Sequence, residues 1–431
     1  LVGRVARPAG GEMKPYKYQR NHIDRLTQIL ETKRGAFDLS ATGTGKTLCA
    51  LTVAKELGRP AAVVAPLGTL PGWRRTAEAL GMPLVSVNYE SLTKVRGFVT
   101  PQEIKLPKNA LVIYDEAHKC KNHKTGNAKT MLRIARSGYK ILALSATIAH
   151  HAEHLRAWND AFNLANTNSF SAFMYACGYY YEQSKWGGAW LPKSENSVDV
   201  TRRRIAPFVS AMTIEDAGEM FKENSVSVEV VSSQEDPALK KAYEEYFRAL
   251  RAGDKKTTGD HLVKELRARQ ASEKAKIPYI LDKADELTEE GFSVVLFCCF
   301  NETIDELQRN LAGHLPAVIR GGQSPAAREV ERKRFQENKT RVILCNLQAG
   351  GVGLDLHDLH GQPRYSIILP DWSAVSIKQA LGRIHRAGAK SPAIQQILYS
   401  DVEVEKRMAE AVRAKLHNLD TLHDSETGVK I

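Results

Sequence analysis

Between Gly35 and Leu57 the chain reads as a buried strand, a glycine turn and a helix in immediate succession, an order of elements that few folds accept. Gly35-Ala-Phe-Asp-Leu-Ser40 is a short strand-like run, and Leu48-Cys-Ala-Leu-Thr-Val-Ala-Lys-Glu-Leu57 carries apolar residues at helical spacing. The turn between them is Ser40-Ala-Thr-Gly-Thr-Gly-Lys-Thr47. Such an arrangement aims backbone N–H groups and the positive end of a helix dipole at one point, where an anion binds. Thr42, Gly43, Thr44 and Gly45 form the cradle for a nucleotide triphosphate. Lys46 reaches the β- and γ-phosphates, and the Thr47 hydroxyl sits on Mg²⁺. The plain alternative is a glycine turn beside a lysine, and the strand and helix on either side weigh against it. One irregularity stands out: the pattern usually opens with glycine, whereas Ser40 occupies that place.

The same strand-then-helix rhythm continues. Ala61–Pro66, Pro83–Asn88, Ala110–Asp115 and Tyr139–Ser145 are β-branched runs separated by helical patterns, which predicts a parallel sheet wrapped by helices. A second block holds Ser293–Cys299, Leu315–Arg320, Arg341–Asn346 and Tyr365–Pro370. The fold class expected is α/β, with two tandem lobes and an irregular, partly helical middle region. The boundaries expected are a flexible tail over 1–15, a first lobe over 16–230 with an aromatic-rich insertion at about 160–225, and a second lobe over 231–431. No short-period repeat or low-complexity stretch interrupts this order.

At 431 residues the chain exceeds one ordinary core, in keeping with two lobes. A net charge of +12 suits a polyanionic partner, with basic clusters at Arg202–Arg204, Lys264–Lys276 and Arg332–Arg334. No apolar run of about 18 residues occurs, which argues against a membrane-spanning helix. No secretory signal is visible at the start, so an intracellular place of work is expected. The cysteines Cys49, Cys120, Cys177, Cys298, Cys299 and Cys345 lack paired metal-site spacing and read as buried free thiols.

Asp115-Glu-Ala-His118 ends an apolar strand about 70 residues after the phosphate loop. Asp115 fits a Mg²⁺ carboxylate that complements Thr47, and Glu116 is placed to orient or deprotonate an attacking water. Far downstream, Gln379-Ala-Leu-Gly-Arg383-Ile-His-Arg386 places two arginines three apart. On a helix they share a face and can address one anion, here the charge on a transferring γ-phosphoryl group. A glycine loop, Ala349-Gly350-Gly-Val-Gly353-Leu-Asp355, permits close approach to a phosphate or to another part of the chain.

Together these residues resemble helicase superfamily two over most of the chain. Ser40–Thr47 is similar to its motif I, Asp115–His118 to motif II, Ser145–Thr147 to motif III, Gly350–Asp355 to motif V and Gln379–Arg386 to motif VI. Gln19 resembles the family's adenine-reading glutamine, and Gly353 and Asp355 fall among its nucleotide contacts. A narrower resemblance is to Swi/Snf-type translocases of double-stranded DNA, carried by Asp115–Asn122, Ala349–Leu356, Asp371-Trp372-Ser and Gln379–Gly388. Phe170–Gly178 followed by Trp186-Gly187 is similar to the inserted region of the annealing-helicase branch. The resemblance implies two RecA-like lobes that close around ATP and Mg²⁺ and grip a nucleic acid. The first-lobe grip falls on Pro66, Leu67, Asn88, Tyr89, Lys121 and Asn122, the second-lobe grip on Arg320, Gly321 and Gly350, and Trp372 stacks at the duplex or packs in a core. Departures from the group mark a divergent, compact member: motif III is Ser-Ala-Thr, and Ala389-Lys390 follows Gly388.

Three functions remain open at this point. The first is an ATP-driven translocase on double-stranded DNA, favoured by Lys121-Asn122 with Asp371-Trp372. The second is a strand-separating DNA or RNA helicase. The third, of another class, is a nucleotide-gated binding module without turnover, against which the intact Lys46, Asp115, Glu116, Arg383 and Arg386 argue.

Overall fold

The computed structural model describes residues 14–94, 97–100, 103–145, 152–164, 169–184, 187–232, 236–252, 258–347 and 354–423. Most of the expected tail, with Ala146, Thr147, Trp186, Gly350 and Gly353, lies outside them. The chain divides into two compact units, mainly Leu1–Gly218 and mainly Glu219–Leu416.

The first unit runs α1 (Lys17–Thr32), β1 (Gly35–Asp38), α2 (Lys46–Glu56), β2 (Ala61–Ala65), α3 (Leu70–Ala79), β3 (Leu84–Asn88), β4 (Leu111–Asp115), α4 (Gly126–Arg136), β5 (Lys140–Leu144), α5 (Arg156–Phe162), α6 (Phe170–Ala176), β6 (Tyr179–Ser184), β7 (Gly187–Pro192), α7 (Ser197–Ile205) and β8 (Val209–Ser210). Its sheet has the order β3-β2-β4-β5-β1-β8, and every neighbouring pair is parallel. Alternation along the strands explains why helices cover both faces. Ala36, Val63, Ile113 and Leu142 enter one core, while Phe37, Val64, Val112 and Ile141 enter the other.

The middle region is more ordered than its composition suggests. β6 and β7 form an antiparallel hairpin, and Trp190 on it meets Phe170, Tyr175 and Tyr181 with ring centroids 5.3–6.2 Å apart. The chain then returns to the main sheet, where β8 pairs with β1.

The second unit runs β9 (Asn224–Val231), α8 (Pro237–Ala252), α9 (Thr258–Ala275), α10 (Ile277–Glu289), β10 (Ser293–Cys298), α11 (Asn301–Asn310), β11 (Ala317–Ile319), α12 (Pro325–Gln336), β12 (Val342–Asn346), β13 (Arg364–Ile368), α13 (Ala374–Leu381), β14 (Ala393–Ser400) and α14 (Glu403–His423). Its sheet, β11-β12-β10-β13-β14-β9, is again parallel throughout. The expected division at 230/231 assigned β9 to the first lobe, and the strand ladder corrects this. β9 pairs over its whole length with β14, from Asn224 opposite Ala393 to Val231 opposite Ser400. Its ladder among the described residues runs along β14, so the second unit starts near Glu219. The architecture is the expected pair of α/β lobes. No helix among the described residues is long and apolar enough to cross a membrane.

Candidate functional site

The loop between β1 and α2 has the backbone of an anion cradle. Gly43 and Gly45 take φ of 90° and 92°, in the left-handed region where a side chain is strained, and α2 starts at Lys46. Space adds a second demand at Gly45: a Cβ there would lie 2.4 Å from Gln19 Nε2. Lys46 Nζ donates to the Ser40 carbonyl at 2.8 Å and the Ala41 carbonyl at 3.0 Å, so the ammonium is folded over its own loop. Thr42 and Thr47 are half-buried beside it, and the buried Thr44 hydroxyl donates to the Ala41 carbonyl. Gln19, the candidate base reader, is itself tied to this loop. Its Nε2 donates to the Thr44 carbonyl at 2.9 Å and its Oε1 accepts from the Tyr16 N–H at 2.9 Å.

Beneath the loop is a buried polar knot that the sequence did not announce. His22 Nδ1 lies 2.7 Å from Ser210 Oγ, and His22 Nε2 lies 3.2 Å from the fully buried Asp38 carboxylate. Burial pushes the Asp38 carboxyl up, but His22 and then Lys46 outweigh it and hold it below the ordinary range. Ser40 joins the knot: its N–H donates to Asp38 Oδ1, and its hydroxyl oxygen accepts the Met212 N–H at 2.9 Å. This gives the irregular Ser40 a physical task that glycine lacks. Ser40→Gly would leave a buried N–H without its partner, at a cost of about 1–3 kcal/mol. A lower chemical-denaturation midpoint is the expected result, and an unchanged midpoint would strip the hydroxyl of that task.

β4 delivers the carboxylates. Trp73 Nε1 donates to Asp115 Oδ2 at 2.9 Å, and the Glu116 N–H donates to Oδ1 at 3.0 Å. Burial, then the neighbouring Glu116, pushes Asp115 up to about 6, against the lowering effect of Trp73, Lys46 and Thr69. Adjacent carboxylates, with Lys46 and Thr69 near Asp115, suit a divalent cation. Glu116 holds φ of 54°, an unusual value for a residue with a side chain, and its Oε2 lies 3.3 Å from His118 Nδ1. His118 Nδ1 in turn lies 3.4 Å from Ser145 Oγ, which joins the two strand ends.

In the second unit Arg383 and Arg386 lie beyond α13, which ends at Leu381, and this corrects the expectation of a shared helix face. The apolar spacing of Ile377, Ala380, Leu381 and Ile384 continues the helical period past Gly382. The backbone leaves the helix because the Arg383 carbonyl accepts the Leu356 N–H at 3.1 Å. Both guanidinium groups still converge: Arg383 Nη1 and Arg386 Nη2 donate to the Leu354 carbonyl at 3.2 and 3.3 Å. Arg386 Nη1 also lies 2.6 Å from Asp355 Oδ1. Burial pushes the Asp355 carboxyl up, but Arg386, His357 and Arg383 outweigh it and hold it low. Burial, then Arg386, pushes His357 down to about 4, so its ring is neutral near pH 7.

The other expected contacts fall as follows. Leu67 is 52% exposed, whereas Pro66 before it is buried. Asn88 is half-buried and bonds Glu90, while Tyr89 is 4% exposed with its hydroxyl turned inward onto the Asp115 carbonyl. Lys121 is half-buried and Asn122 exposed, on the turn that leads into α4. Arg320 and Gly321 sit in a turn where Arg320 pairs with Asp305. Trp372 packs against the cluster of Leu239, Tyr243, Ala268 and Val404. Trp73, His22 and Ser210 escaped the sequence reading. A lone tryptophan four residues after Thr69 was the available signal, since a buried indole N–H needs an acceptor.

Residues 275–388 match the model of the helicase conserved C-terminal domain. A protein of Acanthamoeba polyphaga mimivirus that bears the name ATP-dependent RNA helicase L364 is 31% identical over 96% of this chain and 84% of its own length. The Arabidopsis thaliana protein named ATP-dependent DNA helicase CHR23 is 22% identical over 94% of this chain, which spans 43% of that protein. Among solved structures, the Sulfolobus solfataricus SWI2/SNF2 ATPase core in complex with dsDNA aligns over 93% of this chain and 92% of its own, at 18% identity and a TM-score of 0.39.

Proposed function

Because this chain belongs to the helicases of superfamily two, in their Swi/Snf-like group, we propose that it spends ATP hydrolysis on moving along double-stranded DNA. Hydrolysis of ATP and binding of nucleic acid come with membership of the family, and the duplex track is the reading advanced here. The observation that carries it is the segment after the carboxylates. Past Glu116 the chain makes a 3-10 turn over Ala117–Cys120 and then presents Lys121 and the exposed Asn122 ahead of α4, in the pattern of duplex-tracking members.

The chain's own residues divide the work. The loop amides of Thr42–Gly45 and the Lys46 ammonium hold the phosphates. Glu116 orients the attacking water and takes its proton. Arg383 and Arg386 are assigned to the charge that grows on the transferring phosphoryl group. Gly353 and Asp355 belong to the nucleotide contacts of the second lobe, and Gln19 to those of the first, where it also braces the loop. Thr47 and Asp115 would hold Mg²⁺, which supplies positive charge against the phosphate oxygens. For the track we assign Pro66, Leu67, Asn88, Lys121 and Asn122 in the first lobe, and Arg320, Gly321 and Gly350 in the second. Tyr89 and Trp372 contribute from beneath the surface. Contacts of this kind go to phosphates and carry little sequence information.

A second reading, a strand-separating helicase on RNA, is favoured by one observation, the name of the mimivirus relative. ATPase stimulation by duplex DNA, single-stranded DNA and RNA, at matched salt, separates the readings. Strongest stimulation by duplex DNA is expected. Strongest stimulation by RNA would install the second reading, and binding without any stimulation would leave a nucleotide-gated binding module.

A further inference from the structure

Two segments of the first unit, the helix α3 that follows β2 and the turn that follows β3, each send one buried aromatic side chain onto the Asp115-Glu116 segment. From the first, Trp73 donates its indole N–H to Asp115 Oδ2 at 2.9 Å. From the second, Tyr89 donates its hydroxyl to the Asp115 carbonyl at 2.7 Å and lies 3.4 Å from the Glu116 carbonyl. Both side chains are nearly sealed from solvent, Trp73 at 1% exposure. An indole N–H can only donate, so once buried it commits to one acceptor. Here the acceptor is Asp115, the carboxylate assigned above to Mg²⁺ together with Thr47.

The route from the surface to this carboxylate is short. The Thr69 N–H and hydroxyl both donate to the Pro66 carbonyl at 3.0 Å, closing the turn that carries Leu67. The Trp73 N–H donates to the Thr69 carbonyl at 3.2 Å, one helical turn further on. The Thr69 side chain also lowers the Asp115 carboxyl from beside it. On the other side, Tyr89 directly follows Asn88, the last residue of β3, and Lys119 lies over its ring at 5.5 Å. The loop ends expected to touch nucleic acid are thus one or two hydrogen bonds from the residues that handle metal and water.

We infer that Trp73 and Tyr89 are positioning residues that convert occupation of the Pro66-Leu67 and Asn88–Glu90 loops by a nucleic acid into the aligned state of Asp115 and Glu116, and so produce nucleic-acid-stimulated ATP hydrolysis. This rests on the reading of those loops as a grip. The aligned state is a matter of angle. A carboxylate whose Oδ2 is fixed by an indole and whose Oδ1 is fixed by a backbone N–H has no rotational freedom left. The Tyr89 hydroxyl fixes the peptide that sets the direction of Glu116, whose left-handed backbone stands between the end of β4 and the following 3-10 turn. Movement of either loop by a fraction of an ångström therefore reaches the reacting groups without passing through the phosphate loop.

The test uses the full chain, ATP with Mg²⁺, and whichever of duplex DNA, single-stranded DNA or RNA stimulates the unaltered protein most. The quantity read is the ratio of stimulated to unstimulated kcat, with nucleic-acid affinity measured separately without nucleotide. Trp73→Phe is expected to cut the ratio about tenfold while that affinity stays within about twofold. Tyr89→Phe, which loses a single oxygen and little volume, should move the ratio in the same direction and guards against a folding failure of the first variant. Leu67→Glu should weaken affinity, yet recover the unaltered ratio at saturating nucleic acid. Ratios unchanged in both aromatic variants would overturn the coupling and leave the motor intact. Undiminished affinity in Leu67→Glu would remove the loop as the sensor. An unaltered protein that no nucleic acid stimulates would instead bring down the motor reading itself.

Discussion

Glu116→Gln is expected to lower kcat by about 10²–10⁴-fold while binding of ATP and nucleic acid survives. The substitution keeps the size and hydrogen-bonding capacity of the side chain and removes only its ability to accept a proton. The surroundings make the experiment clean. The backbone of Glu116 is held at φ 54° by its place between β4 and the following 3-10 turn, and the Tyr89 hydroxyl bonds the preceding carbonyl. None of these contacts uses the Glu116 carboxylate, whose Oε2 lies 3.3 Å from His118 Nδ1. Steady-state turnover, together with the affinity for a fluorescent ATP analogue, checks the expectation. Retained turnover would move the proton-accepting role elsewhere, and lost nucleotide binding would make Glu116 a structural residue.

Arg386→Ala should cost about 10³-fold or more in kcat with a far smaller change in KM, because a guanidinium aimed at developing charge acts mainly in the transition state. Its resting contacts complicate the result, since the same side chain pairs with Asp355 and donates to the Leu354 carbonyl. Asp355→Asn is the control. The Asp355 side chain is 49% exposed, so its ion pair contributes only about 0–1 kcal/mol to stability. If Asp355→Asn reproduces the loss in kcat, the effect lies in the Leu354–Asp355 segment that Arg386 holds and in the nucleotide contact assigned to Asp355. A much smaller loss assigns the effect to the guanidinium.

Much of this site could be read from the chain because its residues sit where periodicity changes. β1, β2, β4 and β5 are largely apolar runs buried on both faces, and β1, β4 and β5 lead into Asp38, Asp115 and Ser145. What escaped is what periodicity does not encode. β14 was missed because Gln395 and Gln396 break its apolar run, yet both are buried and bonded, Gln395 to Asn224 and Ser366, and Gln396 to Tyr279. β9 was missed because it is an edge strand of alternating valine and polar residues within a polar region. The end of α13 was missed because Ile384 keeps the helical spacing after the hydrogen bonding has changed partner. The buried His22, the Asp38/Ser40 pair and Ser210 come from three separate stretches of chain, and only folding brings them to one point.

The pairing of β9 with β14 also decides where this protein can be cut. A second lobe expressed from residue 231 would lack nearly all of the strand that covers β14, leaving one edge of β14 open from Ala393 to Tyr399 as a template for aggregation. It would lose more than an edge. The Met220 carbonyl accepts the Gly388 N–H at 2.7 Å, the Lys222 carbonyl lies 3.0 Å from His385 Nε2, and Phe221 meets the His385 ring edge-on. These residues brace the turn that carries Arg383 and Arg386. A fragment that begins at Glu219 keeps both the seam and the brace, and is the one to prepare when the second lobe is studied alone.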